Sequence, residues 1–435
     1  MLRRASRLQA VALAHFVIDV FNSMGPVVFA FLSAHIMPLS KTQIGLAASV
    51  YSMVHGLSQP LFGWMADKSG GRRLAVFGVM WTVSLLLLTF VIGALTKQYV
   101  LILLLYMITP LGSAAFHPIG VMHASEAARQ GKTARNLSLF FLAGYMGAAI
   151  GPTTSGWLLD RTTTHIERFT VALGPAFNGL MYEGGSVFPL LTLAVLLVPA
   201  CLVMMISLPN KQQHTDTHAR TESVEEARPP LQVRALLLFA LVIALRSLTH
   251  PGAVPFMPVL FLEKGWTPTQ YGVVTSLYWI SGALAGVAAS NLVDRFGSRP
   301  LIVVPMLLGA PVFWLLPHLD GVAALAAVVV AGGLTGAPHG IIVGEVQRVL
   351  PVRKGFASGA ALGFIFATGA LGGVAIGIVS DHYSLTTAFH MIAVLGSLSG
   401  VLALGLASGR LTPDAQAALP TNPQLQPQGH SLRGG

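Results

Sequence analysis

The sequence predicts an all-α integral membrane fold, with twelve transmembrane helices in two pseudo-symmetric six-helix bundles. Three observations carry that expectation. The 435-residue chain is 54% hydrophobic and only 10% charged, where a soluble protein carries roughly 25% charged residues, and its mean hydropathy is +0.70. Apolar stretches of the about 20 residues needed to cross a bilayer recur along it, with polar clusters between them. Finally, the two halves repeat. "GLAASVYSMVHGLSQPLFGWMADKSGGRRL" (45–74) aligns with "GVVTSLYWISGALAGVAASNLVDRFGSRPL" (272–301), setting Asp67 on Asp294, Gly70 on Gly297 and Arg72 on Arg299.

The helices are expected near 10–36, 43–66, 73–95, 99–124, 136–158, 187–208, 235–261, 269–292, 300–317, 321–347, 356–380 and 387–408. The first begins like a signal peptide, "MLRRASRLQAVALAHFV". Its apolar run carries Asp19 and continues to about Met37, longer than the 7–15 residues of a signal-peptide core, so it reads as a retained span. Helix four carries His117–Pro118, and helix ten the reversed pair Pro338–His339. Proline frees a backbone carbonyl and bends a helix where a cavity must open and close. Helix five, "LFFLAGYMGAAIGPTTSGWLLDR" (139–161), parallels helix eleven, "ALGFIFATGALGGVAIGIVSDH" (361–382). Between helices six and seven, "PNKQQHTDTHARTESVEEARPP" is too polar to form a core and reads as a solvated linker. The Pro/Gln-rich end reads as a disordered tail. The expected organisation is an N-terminal bundle at 1–208, a linker at 209–234, a C-terminal bundle at 235–408 and a tail at 409–435.

Orientation follows from the basic residues. With the N-terminus inside, the inner segments hold Arg3, Arg4, Arg7, Lys68, Arg72, Arg73, Arg129, Lys132, Arg135, Lys211, Arg220, Arg228, Arg234, Arg295, Arg299, Arg348, Arg353, Lys354, Arg410 and Arg433. The outer segments hold only Lys41, Lys97, Arg161, Arg168 and Lys264, which predicts cytoplasmic N- and C-termini. The net charge of +10 is then a loop bias rather than a nucleic-acid footprint. The single Cys201 excludes an intramolecular disulfide and a thiolate metal cluster. No G-x-x-x-x-G-K-[ST] loop, nucleophile elbow or metalloprotease helix is present, so neither direct ATP drive nor an enzyme is expected, and no cofactor.

Two six-helix halves joined by a long linker follow the parallel-repeat plan of a secondary transporter. The loop "GWMADKSGGRR" (63–73) resembles the loop signature of the major facilitator superfamily. Gly63 would permit close helix approach, Asp67 pair with a helix end or an arginine, and Gly70 make the tight turn. The copy "NLVDRFGSR" (291–299) keeps Asp294, Gly297 and Arg299, while Gly71 and Ser298 stand where a basic residue is common. A conformational latch is the role expected for these loops. "GYMGAAIGPTTSG" (144–156) is similar to the helix-five element of the superfamily's drug–proton antiporters, with Gly147, Gly151 and Gly156 for close approach and Pro152 for a bend. "AHFVIDVFNS" in helix one, "GSAAFHPIG" (112–120), "ALRS" (244–247) and "GFASGAALGFIFATGALGG" (355–373) resemble the fosmidomycin-resistance branch, although Ile119 follows "FHP" here. The resemblance implies proton-driven export of a small molecule.

The candidate site residues are the polar ones inside the helices. His15, Asp19 and Asn22, spaced i, i+4, i+7, share one face of helix one. Asp19 is expected to carry the coupling proton, with His15 beside it. A shift of 227 residues takes Asp19 to Arg246, which cannot deprotonate and offers a fork to an anionic group. The two are expected to face one central cavity, and Arg246 to alternate between Asp19 and substrate. A permanent Asp19–Arg246 pair that fixes helix packing is the structural alternative. Asn22, His117, His339, His55 and Gln59 are further candidates for contact with substrate, and Tyr278 and Trp279 weaker ones. Within the membrane helices no H-x-x-x-H pair or dense carboxylate–histidine cluster stands out, so no metal site is expected. The expectation is therefore a monomeric, proton-coupled exporter of a small organic compound or drug, anionic if Arg246 receives it, in a bacterial inner membrane. Its partners are substrate, protons and the lipid bilayer, without nucleic acid. Proton-coupled uptake of a small organic anion is one alternative, and a transporter-like sensor or receptor another.

Overall fold

A membrane interior offers no water to unpaired peptide groups, so a chain this apolar must satisfy its backbone within each segment. The computed structural model meets that demand with helices throughout the residues it describes, 2–69, 71–127, 133–164, 186–209, 233–349 and 354–406. The body of the expected linker (210–232) and the whole expected tail lie outside them. The helices are α1 (Leu2–His35), α2 (Lys41–Ser69), α3 (Arg72–Thr96), α4 in two pieces (Tyr99–Ile108, Pro110–Glu126), α5 (Thr133–Thr164) and α6 (Phe188–Leu196, Leu197–Ser207). There follow α7 in three pieces (Val233–Ala253, Val254–Phe256, Met257–Glu263), α8 (Pro268–Phe296), α9 (Ser298–Leu315), α10 (Gly321–Val349), α11 (Lys354–His382) and α12 (Leu385–Ala403).

This is the expected number and order of helices, with three interruptions the periodicity did not show. Pro110 lacks an N–H and starts a new helix after Thr109, α6 begins as a 3₁₀ segment at Phe188–Pro189, and Pro255 tightens α7 into a 3₁₀ turn. Among the described residues, eleven segments are long and apolar enough to cross a membrane. The exception is α2, whose hydropathy is lowered by Gln43, Ser49, Ser52, His55, Ser58 and Gln59. Outward faces are as apolar as the core: Val100, Leu142, Ile206, Leu284 and Val322 are exposed, while Phe21, Phe116, Phe140 and Tyr278 are buried.

Helices α1–α6 pack mainly on one another, as do α7–α12, and the two groups meet chiefly through α2 on α11 and α5 on α8. Small residues set the distances. A Cβ on Gly147 would strike the carbonyl of Phe16, and one on Gly151 that of Val20, so these glycines let α5 lie against α1 backbone to backbone. Gly156 and Gly272 do the same between α5 and α8, against Pro268 and Pro152.

At the end where α2 and α8 begin, polar groups join the two halves. Asp381, at the end of α11, accepts the backbone N–H groups of Lys41 (2.9 Å) and Thr42 (2.8 Å) in the first turn of α2. Asp160, near the end of α5, accepts the hydroxyls of Thr267 (3.1 Å) and Thr269 (2.6 Å) at the start of α8. Lys41 also pairs with Glu263 at 2.7 Å. Deeper along the same contacts, Ser49 donates to the Ala370 carbonyl, and the Thr153 hydroxyl bonds that of Ser276 at 2.7 Å.

At the opposite end, Arg72 donates to the carbonyls of Met205 (3.2 Å) and Leu208 (3.4 Å), tying α3 to α6 inside one half. A Cβ on Gly63 would make only ordinary contact with Pro118, at 3.7 Å, so close approach does not explain that glycine. Gly70 lies outside the described residues, and so do the side chains of Asp67 and Asp294. Gly71, at φ +76°, makes a left-handed turn into α3, and Gly297, which aligns with Gly70, is at φ +79° before α9.

Candidate functional site

Three helices, α1, α2 and α4, bring the predicted polar residues of the first half together, and α5 packs against them. On α1, helical spacing stacks His15 under Asp19 and Asp19 under Asn22. His15 Nε2 lies 3.2 Å from Asp19 Oδ2, and Asn22 donates to Asp19 Oδ1 at 3.0 Å. From α4, His117 Nε2 comes within 3.6 Å of Asp19 Oδ1. The amide of Asn22 also reaches the Ser113 hydroxyl at 2.9 Å, and that hydroxyl lies 3.2 Å from His55 Nε2 on α2. Gln59 is one turn beyond His55, at 3.5 Å. Tyr51, one turn before it, donates to the Asn22 carbonyl oxygen at 2.5 Å. Asp19 is thus hydrogen-bonded by Asn22 and faced by two imidazoles.

The tautomers of the two histidines follow from their other contacts. His15 Nδ1 lies 2.8 Å from the Phe140 carbonyl, and His117 Nδ1 lies 2.8 Å from the Ser113 carbonyl. A carbonyl oxygen only accepts, so both Nδ1 atoms donate, and both Nε2 atoms are left facing the same carboxylate. If each imidazole is neutral, an Nε2 lone pair confronts a carboxylate oxygen across each gap. A proton or another cation placed there turns each repulsion into an attraction. Phe140 stacks on His15 at 4.0 Å between centroids, and His117 meets it edge-on at 5.0 Å. Burial is uneven, since His15 is enclosed while the side chains of Asp19 and His117 each keep 19% exposure.

The second half is simpler. Arg246 on α7 is buried and donates from Nη2 to the Thr335 carbonyl on α10 at 2.8 Å. Its Nε and Nη1 have no hydrogen-bond partner among the described residues. Thr335 donates to the Tyr278 hydroxyl at 3.1 Å, and His339, one turn beyond Thr335, is within electrostatic reach of the guanidinium. Beside Arg246 is a cavity of about 30 Å³, bordered by Thr249, Met306, Phe313, Thr335 and Ser399. That is room for a water or two, not for a whole organic substrate.

Two expectations are corrected by this geometry. A carboxylate–histidine cluster does exist: His15, Asp19 and His117 place one ligand atom each within 4.8 Å of one another. It is invisible in the sequence because His117 is 98 residues from Asp19. Arg246 borders a cavity in which Asp19 takes no part. It turns toward α9, α10 and α12 within its own half, where a carbonyl is in reach, and the ion-pair partners of Asp19 are the two histidines. Tyr51, Ser113 and Gly144 were missed. Tyr51 and Ser113 each lie one turn before a histidine, a spacing that would have found them. A Cβ on Gly144 would press on His15 Nε2 and Asp19 Oδ2, which only packing reveals.

The chain matches the Major Facilitator Superfamily model over residues 11–250 and 236–429. It is 28% identical to an uncharacterized MFS-type transporter of Bacillus subtilis, YfnC, over 92% of each chain. It is 24% identical to the fosmidomycin resistance protein of Escherichia coli, over 93% of each. Among solved structures it is similar to a bacterial homolog of the human lysosomal transporter Spinster, at TM-score 0.73 and 15% identity, covering 93% of this chain and 97% of that one.

Proposed function

Since the chain belongs to the major facilitator superfamily, we propose that it is a proton-coupled exporter of a small organic anion working by alternating access. One observation carries the reading: the two halves hold opposite chemistries, a carboxylate between two imidazoles in one and, in the other, a buried guanidinium with two nitrogens unpartnered among the described residues. Asp19, with His15 and His117, is the proton-coupling site. Protons occupy the gaps between the Nε2 atoms and the carboxylate, and leave when that side of the cluster opens to water. Asn22 and Tyr51 keep the carboxylate oriented through either state. Arg246 receives the anionic group of the substrate once its cavity widens, and its planar fork suits a carboxylate or phosphate-like group. His55, Gln59 and His339 line the approach.

The chain lies in a bacterial inner membrane as a monomer with both termini cytoplasmic. The end closed by Asp160 and Asp381 then faces outward, and the Gly71 and Gly297 turns lie at the cytoplasmic end. Similarity to a fosmidomycin resistance protein favours export over uptake. The test is a substrate screen in inside-out vesicles with an imposed pH gradient, comparing the parent with Asp19→Asn. Gradient-driven accumulation in the parent and its loss in the variant is the expected result. Accumulation that responds equally to the gradient in Asp19→Asn overturns the coupling role, and no gradient-driven accumulation across a broad panel overturns the exporter reading.

A further inference from the structure

We infer that His15, Asp19 and His117 form a binding site for a divalent transition-metal ion of the Zn²⁺, Co²⁺ or Ni²⁺ class. The inference rests on ligand geometry, independently of whether protons drive transport. Two imidazoles and one carboxylate are the donor set such ions take, with three protein ligands and a fourth position left open. In a tetrahedral site with bonds of about 2.0–2.1 Å, neighbouring ligand atoms are about 3.3 Å apart. His15 Nε2 is 3.2 Å from Asp19 Oδ2 and His117 Nε2 is 3.6 Å from Oδ1, the two oxygens of one carboxylate. The three ligand atoms lie within 4.8 Å of one another, so an ion has to draw them in to reach that edge length.

The surroundings are those of a prepared site. Histidines that bind a metal through Nε2 characteristically donate Nδ1–H to a backbone carbonyl or carboxylate, which fixes the tautomer and aims the lone pair. Both histidines do so, to Phe140 and to Ser113, each at 2.8 Å. The carboxylate is itself held by the Asn22 amide, which Tyr51 and Ser113 hold in turn. Gly144 packs close to two of the ligand atoms, and a Cβ there would fall against His15 Nε2 and Asp19 Oδ2. Entry is through the partly exposed side formed by Asp19 and His117, and there the fourth position would hold water or an oxygen or nitrogen donor of a small ligand. On a gene product read as a carrier of small organic anions, the ion is an added ligand that competes with protons for the same lone pairs.

The test uses the full chain, purified without a polyhistidine tag. The background is His214→Ala/His218→Ala, because "HTDTH" (214–218) offers two imidazoles of its own. Cobalt(II) is titrated and followed by its visible absorption, which is strong in tetrahedral and weak in octahedral sites. The expected result is one equivalent bound with a tetrahedral spectrum. His117→Ala should weaken binding at least tenfold. Gly144→Ala, which keeps all three ligands and crowds His15 Nε2 and Asp19 Oδ2, should also weaken it at least tenfold, with thermal unfolding in the absence of metal showing that both variants are folded. No binding, an octahedral spectrum, or equal affinity in the parent and both folded variants would overturn the inference. None of these readouts needs a proton gradient, so failure here leaves the exporter reading standing, and failure of that reading leaves the metal site.

Discussion

Removing the Asp381 carboxylate should open the end of the molecule where α2 and α8 begin. Asp381 accepts two N–H groups from the first turn of α2, on the other half of the protein, at 2.9 and 2.8 Å. A carboxylate there also meets the positive end of the helix dipole. Losing a helix-capping acceptor costs about 0.5–2 kcal/mol. Because this acceptor sits on the opposite half, that cost falls only on the closed arrangement. The ratio of open to closed molecules should therefore rise roughly 2- to 30-fold in Asp381→Ala. A cysteine placed at Ser49, buried where α2 meets α11, reports the open fraction in a Cys201→Ser background. Its rate of labelling by a membrane-impermeant maleimide should rise by that factor. Asp160→Ala should raise it independently, and the double variant should show the product of the two factors, since separated sites add in free energy. Unchanged labelling in both single variants would refute the idea that these carboxylates hold the halves together.

Three further outcomes are expected. Gly151→Val places branched methyls on the Val20 carbonyl of α1, so its thermal midpoint in detergent should fall well below that of the parent, consistent with overpacking costs of about 1–3 kcal/mol. Arg246→Met removes a buried charge with two unpaired nitrogens, so the midpoint should hold or rise while vesicle transport is lost. Arg246→Lys should not restore transport, because a single ammonium cannot reproduce the fork. Tyr51→Phe removes the hydroxyl that fixes Asn22, which should cost about 0.5–1.5 kcal/mol by chemical denaturation and slow gradient-driven transport without abolishing it.

Much of the architecture was legible because lipid leaves few options. Charge poverty, span length and the repeat between 45–74 and 272–301 fix the number and order of helices. The stripe His15–Asp19–Asn22 was legible too, since i, i+4, i+7 spacing is a property of a single helix. What the sequence could not show was anything decided by packing between helices. His117 reaches Asp19 because α4 lies against α1. Arg246 bonds the Thr335 carbonyl on α10 and borders a cavity of its own half, although its register matches that of Asp19. One signal was readable and overlooked. At the same shift of 227 residues, Ser40 and Gln43 correspond to Thr267 and Gln270.

Those two pairs change what it means for the halves to part. Ser40 and Gln43 bond each other reciprocally at the start of α2, at 2.9 and 3.1 Å, and Thr267 and Gln270 do so at the start of α8. Each helix thus carries its own stopper, made from neighbouring residues that travel with it. When Asp381 lets go, the Lys41 and Thr42 amides and the Thr42 and Ser40 hydroxyls lose a partner, and incoming water can take its place. The helix start does not unwind, so the contact can be broken and remade on every cycle without local refolding. The fastener releases while the cloth stays hemmed.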